Sequence, residues 1–279
     1  MPAKVLDGKA LAAKIKARIA DEVKTMGSCP GLAVILVGDN PASRVYVTSK
    51  RKDCEECGFY SEEYTLPNDA DPKQLMELID DLNNRNDIDG ILVQLPLPPR
   101  FDEKAVLLAI DPDKDVDGFH PMNVGKLMTG ESCFLPCTPA GVMELLKEGE
   151  IDLAGKHCVV LGRSNIVGKP QALLMLQKDA TVTICHSKTP DLAEKCRRAD
   201  ILVCAVGKTG LITPDMVREG VVIVDVAMNR DENGKLCGDC CRGTYEKAFA
   251  FTPVPGGVGP MTRAMLMENT LRAARLHGK

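Results

Sequence analysis

HCVVLGRSNIVGKP, residues 157–170, decides the fold. The apolar, strand-like HCVVL runs into Gly162-Arg163-Ser164-Asn165-Ile166-Val167-Gly168, and Lys169-Pro170 then open an apolar helical stretch. A glycine-bounded turn between a buried strand and a helix is the setting in which backbone N–H groups receive a dinucleotide pyrophosphate. The spacing is not G-x-G-x-x-G: Ser164 stands where the middle glycine belongs, and the last glycine arrives one residue late. Any tight strand-to-helix turn satisfies that much. The following strands narrow the reading. TVTICHS (181–187), ILVCAVG (201–207) and VVIVDVAM (221–228) recur about every 20 residues with helical segments between the first three, a run of βαβ units that predicts a doubly wound parallel sheet.

An NAD site places an Asp or Glu at the end of the second strand, on the ribose 2′-hydroxyl. Here the segment is Cys185-His186-Ser187-Lys188-Thr189, with no acid. Arg163, Ser187 and Lys188 instead supply donors and positive charge suited to a 2′-phosphate, so NADP is expected over NAD. A solvated loop is the plain alternative for the same residues.

Upstream, α and β patterns also alternate. Leu11, Ile15, Ile19 and Val23 form one helical stripe, and a second helix runs through Tyr46–Cys57. GLAVILVG (31–38) and DGILVQLPLP (89–98) read as strands buried on both faces, with Leu75, Leu78, Ile79 and Leu82 on one face of a helix between them. TPAGVMELLKEGE predicts a connecting helix with Thr138 as N-cap and Pro139 at N1. Thr262–His277, free of Gly and Pro, predicts a terminal helix that returns to the first domain. The fold class is therefore α/β, in two domains: residues 1–138 with 261–279, and a Rossmann-like domain over 139–260.

At 279 residues the chain has room for both. With 44% hydrophobic and 27% charged residues it is globular. A net charge of −4 without a basic block argues against nucleic acid or an anionic membrane as partner. No apolar run approaches the ~18 residues of a membrane span, and charges break up the N-terminus, so a cytoplasmic protein is expected. Twelve cysteines include Cys54-x-x-Cys57 and Cys237-x-x-Cys240, a conceivable zinc set. Their charged flanks favour reduced, mostly buried thiols and no metal.

PVPGGVGP (253–260) packs three prolines and three glycines into eight residues. Proline lacks the N–H donor and glycine resists ordering, so neither helix nor central strand is expected there. A rigid loop admitting a flat or anionic ligand, or a turn introducing the last helix, fits the composition. No GK[ST] follows, which removes a P-loop.

Tyr46 and Lys50, four apart in YVTSK, share a helix face. Gln94 sits near the C-terminal end of a buried strand, where α/β sheets place ligand-binding groups. Asp115 and Asp117 precede the Gly-His-Pro loop of KDVDGFHP, where His120 is read as structural. Taken in order, ASRVYVTSKRK, DGILVQLPLP, PDKDVDGFHPMNVGKL, PCTPAGVMELL, LGRSNIVGKP and TPVPGGVGPMT resemble the bifunctional methylenetetrahydrofolate dehydrogenase/methenyltetrahydrofolate cyclohydrolase (FolD) family over essentially the whole chain. The resemblance implies a folate/catalytic domain, an NADP domain, folate in a cleft between them, and a homodimer. It implies Lys50 as catalytic lysine, Gln94 as its hydrogen-bond partner, Tyr46 stacking on the pterin and Asp117 gripping the pterin edge. It further implies that Pro255, Gly256 and Gly257 meet substrate, and that Gly162, Arg163, Ser164, Ile166, Val167, Gly168 and Ser187 bind cofactor. Two segments depart from the family pattern: Asp225-Val-Ala-Met-Asn229 replaces Asp-x-Gly-Ile-Asn, and Gly238-Asp-Cys-Cys-Arg242 replaces GDVDF. Both fall in the cofactor domain. A folate- or NADP-binding protein without turnover, or a thiol-based sensor, is the competing class.

Overall fold

In the computed structural model, residues 3–279 are described. In chain order the elements are β1 (Lys4–Val5), α1 (Gly8–Val23), β2 (Gly31–Val37), α2 (Pro41–Cys57), β3 (Tyr60–Leu66), α3 (Pro72–Asn83) and β4 (Gly90–Val93). They continue as α4 (Glu103–Ala109), α5 (Pro121–Thr129), α6 (Cys137–Glu148), β5 (His157–Leu161), α7 (Gly168–Leu176), β6 (Thr181–Cys185), α8 (Leu192–Arg197) and β7 (Ile201–Cys204). The chain ends with β8 (Val221–Asp225), β9 (Asn229–Arg230), β10 (Leu236–Cys237), β11 (Ala248–Phe251) and α9 (Val258–Leu276). They fall into two compact units, one of residues up to Ala12 with Thr138–Thr262, the other of Ala13–Cys137 with Arg263–Lys279.

The first unit is built on a six-stranded sheet in the order β1-β11-β8-β7-β5-β6, with all neighbours parallel. Its central strands β7 and β8 are buried along their whole length, which is why they read as unbroken apolar runs. The expected division into 1–138 and 139–260 meets one difference: the chain start lies with the six-stranded sheet, because β1 pairs with β11 (Lys4↔Ala250, Val5↔Phe251). Two residues of strand carry too little pattern to announce this.

The second unit holds a parallel three-stranded sheet, β3-β2-β4. Leu75, Ile79 and Leu82 of α3 pack with Ile35, Ile91 and Val93 in its core. Asp71 caps α3 by accepting from Lys73 N–H at 3.0 Å, and Pro72 sits in the first turn. Strand β3 was not expected: YSEEYTL lies at the sheet edge, half exposed, and carries charge where a central strand carries valine.

Two terminal signals are corrected. Helix α6 begins at Cys137, so Thr138 lies inside it rather than at the N-cap, and its hydroxyl meets that of Thr262 at 2.9 Å. Helix α9 begins at Val258, so Val258, Gly259 and Pro260 of the Pro/Gly run are helical. Proline is tolerated in a first turn because the N–H it lacks would have no intrahelical partner there.

Within the second unit, α1, α2 and α9 meet at one buried carboxylate. Asp53 of α2 receives Lys16 Nζ of α1 at 2.6 Å and lies 2.9 Å from Arg263 Nη1 of α9. Lys16 also pairs with the exposed Glu56. Removing the buried member takes from Arg263 its carboxylate partner and leaves Lys16 with Glu56 alone, whereas the exposed member is readily replaced by water. Asp53→Ala is therefore expected to cost about 1–3 kcal/mol in chemical denaturation. Glu56→Ala should stay within about 0.5 kcal/mol.

Candidate functional site

Polar residues of the second unit converge where β4 stops. Gln94 follows the last residue of β4 and still donates its N–H to Ile35 O at 2.8 Å, so the strand's geometry fixes where its side chain starts. Its Nε2 donates to Leu95 O at 2.8 Å, which turns Oε1 toward α2. There Lys50 Nζ donates to Gln94 Oε1 at 2.9 Å. Lys50 and Gln94 are both half-buried. Burial pushes the Lys50 ammonium below the ordinary lysine value, and the nearby Asp117 carboxylate opposes that shift. Burial pushes Asp117 up, against the pull of Lys50. Both members of the pair are thus moved toward their neutral forms, the state in which an amine accepts a proton.

Asp117 owes its place to its neighbour. Asp115, buried, accepts from His120 N–H at 2.8 Å, Phe119 N–H at 3.2 Å and Asn123 Nδ2 at 2.9 Å, folding the 115–120 loop around itself. His120 caps α5 by accepting from Met122 N–H at 3.0 Å, so it is structural. Asn269 of α9 donates to Val116 O at 2.8 Å and Leu135 O at 2.9 Å, tying both loops to that helix. Cys137, which the sequence reading did not single out, lies against Asp117, and burial drives its thiol well above the ordinary value. Tyr46 lies one turn before Lys50 on α2 and is 40% exposed. Lys50, Gln94, Asp117 and Tyr46 therefore all belong to the second unit, whereas Pro255, Gly256 and Gly257 belong to the first. In that turn Gly256 has φ +106°, Lys9 N–H donates to Gly256 O at 2.9 Å, and a Cβ on Gly8 would overlap the Gly257 carbonyl. A Cβ on Gly257 would overlap the Pro253 carbonyl, so the turn needs these glycines for its own packing.

In the first unit, a cavity of about 530 Å³ opens at the carboxyl ends of β5, β6 and β7. Gly162, Arg163, Ser164 and Ser187 line it, with His186, Thr189, Ala205, Val206 and Lys208. Such a crevice at strand C-termini is where doubly wound sheets bind nucleotides. No carboxylate is among its lining residues, in keeping with the absence of an acid after β6. Ile166, Val167 and Gly168 are on the same turn but do not line the cavity. Ser164 Oγ accepts from Val167 N–H at 3.2 Å and Gly168 N–H at 3.3 Å, and Ser164 O accepts from Lys169 N–H at 3.1 Å. The helix start is thus capped from within, and residues 163–166 of the turn are exposed. Gly168 has a packing role, since a Cβ there would overlap the Gly162 carbonyl. Lys208 and Val206 were missed by the sequence reading. The signal was available: they follow β7 as Ser187 follows β6.

All 12 cysteines are free, and among the described residues no group of three or more His, Cys, Asp or Glu side chains is arranged to hold a metal. No described helix is long and apolar enough to cross a membrane.

Residues 6–117 match the tetrahydrofolate dehydrogenase/cyclohydrolase catalytic domain, and residues 136–278 match the NAD(P)-binding domain of the same family. The chain is 58% identical to the bifunctional protein FolD of Ruminiclostridium cellulolyticum over 280 residues, 99% of each. Among solved structures it is similar to the bifunctional FolD dehydrogenase/cyclohydrolase of Campylobacter jejuni, at 52% identity and TM-score 0.96 over 98% of this chain and 99% of that one. It is also similar to the Trypanosoma brucei FolD complexed with NADP cofactor and inhibitor, at 40% identity and TM-score 0.94 over 99% of both.

The electrostatics of the lysine can be checked without any ligand. Titration of Lys50 by NMR should give a pKa below the ordinary lysine value. Asp117→Asn removes the anion that holds the ammonium charged, so the titration should move lower still. A shift upward would contradict the assigned geometry.

Proposed function

Because this chain belongs to the tetrahydrofolate dehydrogenase/cyclohydrolase family, we propose that it oxidises 5,10-methylenetetrahydrofolate with NADP and hydrolyses the resulting 5,10-methenyl cation to 10-formyltetrahydrofolate. The observation that carries the reading is the half-buried Lys50 ammonium, held by Gln94 at 2.9 Å with Asp117 nearby and the exposed Tyr46 one helical turn before it. A binding protein without turnover has no use for an amine whose proton affinity is lowered.

Each residue has a task that its chemistry supports. Tyr46 offers a flat face on which a pterin stacks. Asp117 accepts from neighbouring N–H donors on the pterin edge in bidentate fashion, and a bound donor pair stabilises its anionic form. Holding the ring by face and edge fixes the one-carbon unit relative to the amine, which is how positioning lowers a barrier. The cavity over β5, β6 and β7 suits NADP: Arg163 and Ser187 hold the 2′-phosphate, with Gly162 and Ser164 beside them. When bound there, NADP supplies the hydride acceptor.

The hydrolytic half depends on Lys50. The methenyl carbon is electrophilic because the positive charge is shared between its two nitrogens. Water adds to it and must lose a proton, which neutral Lys50 accepts while Gln94 keeps the amine in place. The cationic substrate lowers the lysine's proton affinity further, so binding itself prepares the base. The C–N bond that then breaks leaves the formyl group on one nitrogen and passes the proton from Lys50 to the other, while the remaining hydroxyl proton leaves to solvent, so that one proton is released overall.

A homodimer and cytoplasmic residence complete the reading. Strand β6, at the edge of the six-stranded sheet with Ile184 41% exposed, supports pairing with a second copy, and light scattering tests it. Twelve unpaired thiols suit a reducing compartment.

Lys50→Met should lower cyclohydrolase turnover by ~10²-fold or more, the usual contribution of a proton-transfer group, while ligand binding persists. Wild-type hydrolysis in that variant would sink the role of the lysine. In the wild type, hydrolysis should rise with pH through the lowered Lys50 pKa and level off above it, since the neutral amine is the active form.

A further inference from the structure

The wall of the NADP cavity that follows β7 is held from below by a carboxylate outside the cavity. Asp239 is completely buried. Its Oδ2 accepts from Val206 N–H at 2.8 Å and Gly207 N–H at 3.2 Å, and its Oδ1 from Lys208 N–H at 2.6 Å. Asn229 Nδ2 adds a fourth bond at 3.0 Å. Three successive backbone N–H groups converging on one point form the kind of nest that binds an anion. Here the anion is the protein's own.

Asp239 is fixed in turn by a second buried carboxylate. Asp225, at the end of β8, accepts from Asp239 N–H at 3.0 Å, Cys240 N–H at 2.9 Å and Tyr245 OH at 2.8 Å. Gly238 makes this approach possible, because a Cβ there would overlap the Asp225 carboxylate. The near end of the same wall is set by glycine as well. Ala205 N–H donates to Leu161 O at 2.9 Å, and a Cβ on Gly162 would overlap the Ala205 carbonyl. The wall is thus pinned at residue 205 by the first strand-turn-helix and over residues 206–208 by Asp239.

We propose that Asp239 is a positioning residue for the dinucleotide: through the backbone of residues 206–208 it sets the width of the cavity and the place of Lys208, without touching the ligand. This rests on reading that cavity as the NADP site. It accounts for the two departures from the family pattern. Asp225, Asn229, Gly238 and Asp239, which make the contacts, are all retained in the altered segments, while Cys240 contributes its backbone N–H, which any residue but proline supplies. Val206, Gly207 and Lys208 are themselves exposed, so loss of the carboxylate is expected to act first on the wall.

Asp239→Asn turns one acceptor oxygen into a donor that faces donors. The NADP⁺ KM of its dehydrogenase reaction should rise roughly tenfold or more. Its cyclohydrolase rate on methenyltetrahydrofolate, a reaction that consumes no dinucleotide, serves as the internal measure of folding. Asn229→Ala, which removes one donor from the carboxylate, should raise the same KM in the same direction by less. An unchanged NADP⁺ KM in both variants overturns the inference, and so does a parallel fall of both activities, which marks a merely structural role. Arg163→Ala separates the two readings. If it raises the NADP⁺ KM while the other variants do not, only the positioning role fails. If all three leave it unchanged, the cavity is not the NADP site and the inference falls with it.

Discussion

The bond from Lys50 Nζ to Gln94 Oε1, at 2.9 Å, is the interaction on which the catalytic side of this protein turns. It requires two unrelated elements to be in register. Gln94 must leave β4 while its N–H is still held by Ile35, and α2 must present Lys50 at the height of that strand end. Asp53, three residues beyond Lys50, locks the rotation of α2 by its pairing with Lys16 and Arg263. An amine so held is neither freely solvated nor fully neutralised, and burial keeps its proton affinity low against the pull of the one carboxylate nearby.

Buried carboxylates recur as the means by which loops are set. Asp53, Asp89, Asp115, Asp225 and Asp239 are each at most 2% exposed. Asp89 takes Gly31 N–H at 2.8 Å and Lys279 Nζ at 2.8 Å, fastening the chain end to the sheet of the second unit. Asp115 shapes the loop that carries Asp117, and Asp225 with Asp239 shapes the wall over β7. A buried charge without donors costs several kcal/mol, so each enforces one arrangement of the N–H groups around it. Loops at the ends of parallel strands thereby gain a fixed geometry that their exposed sequences do not otherwise encode.

Strands buried on both faces were legible, since GLAVILV and VVIVD have no other reading; the edge strand YSEEYTL was not, because its charges belong to solvent and only its pairing with β2 makes it a strand. The Pro/Gly run was misread in part: composition forbids helix in general, but the first helical turn is exempt. Lys50, Gln94 and Asp117 were found by strand-end placement and by resemblance, and the structure gathers them in one unit. Asp239 was beyond reach. Its carboxylate serves backbone groups some 30 residues away whose identity leaves no trace in sequence.

The central claim, two linked folate reactions on one chain, is tested most directly by mixing the protein with 5,10-methylenetetrahydrofolate and NADP⁺ and following reduced cofactor and methenyl absorbance together. NADPH should appear while methenyl product stays well below it in amount, because hydrolysis draws the cation off as it forms. No reduction of NADP⁺ would contradict the dehydrogenase, and methenyl accumulating in equal amount with NADPH would contradict the hydrolytic role of Lys50.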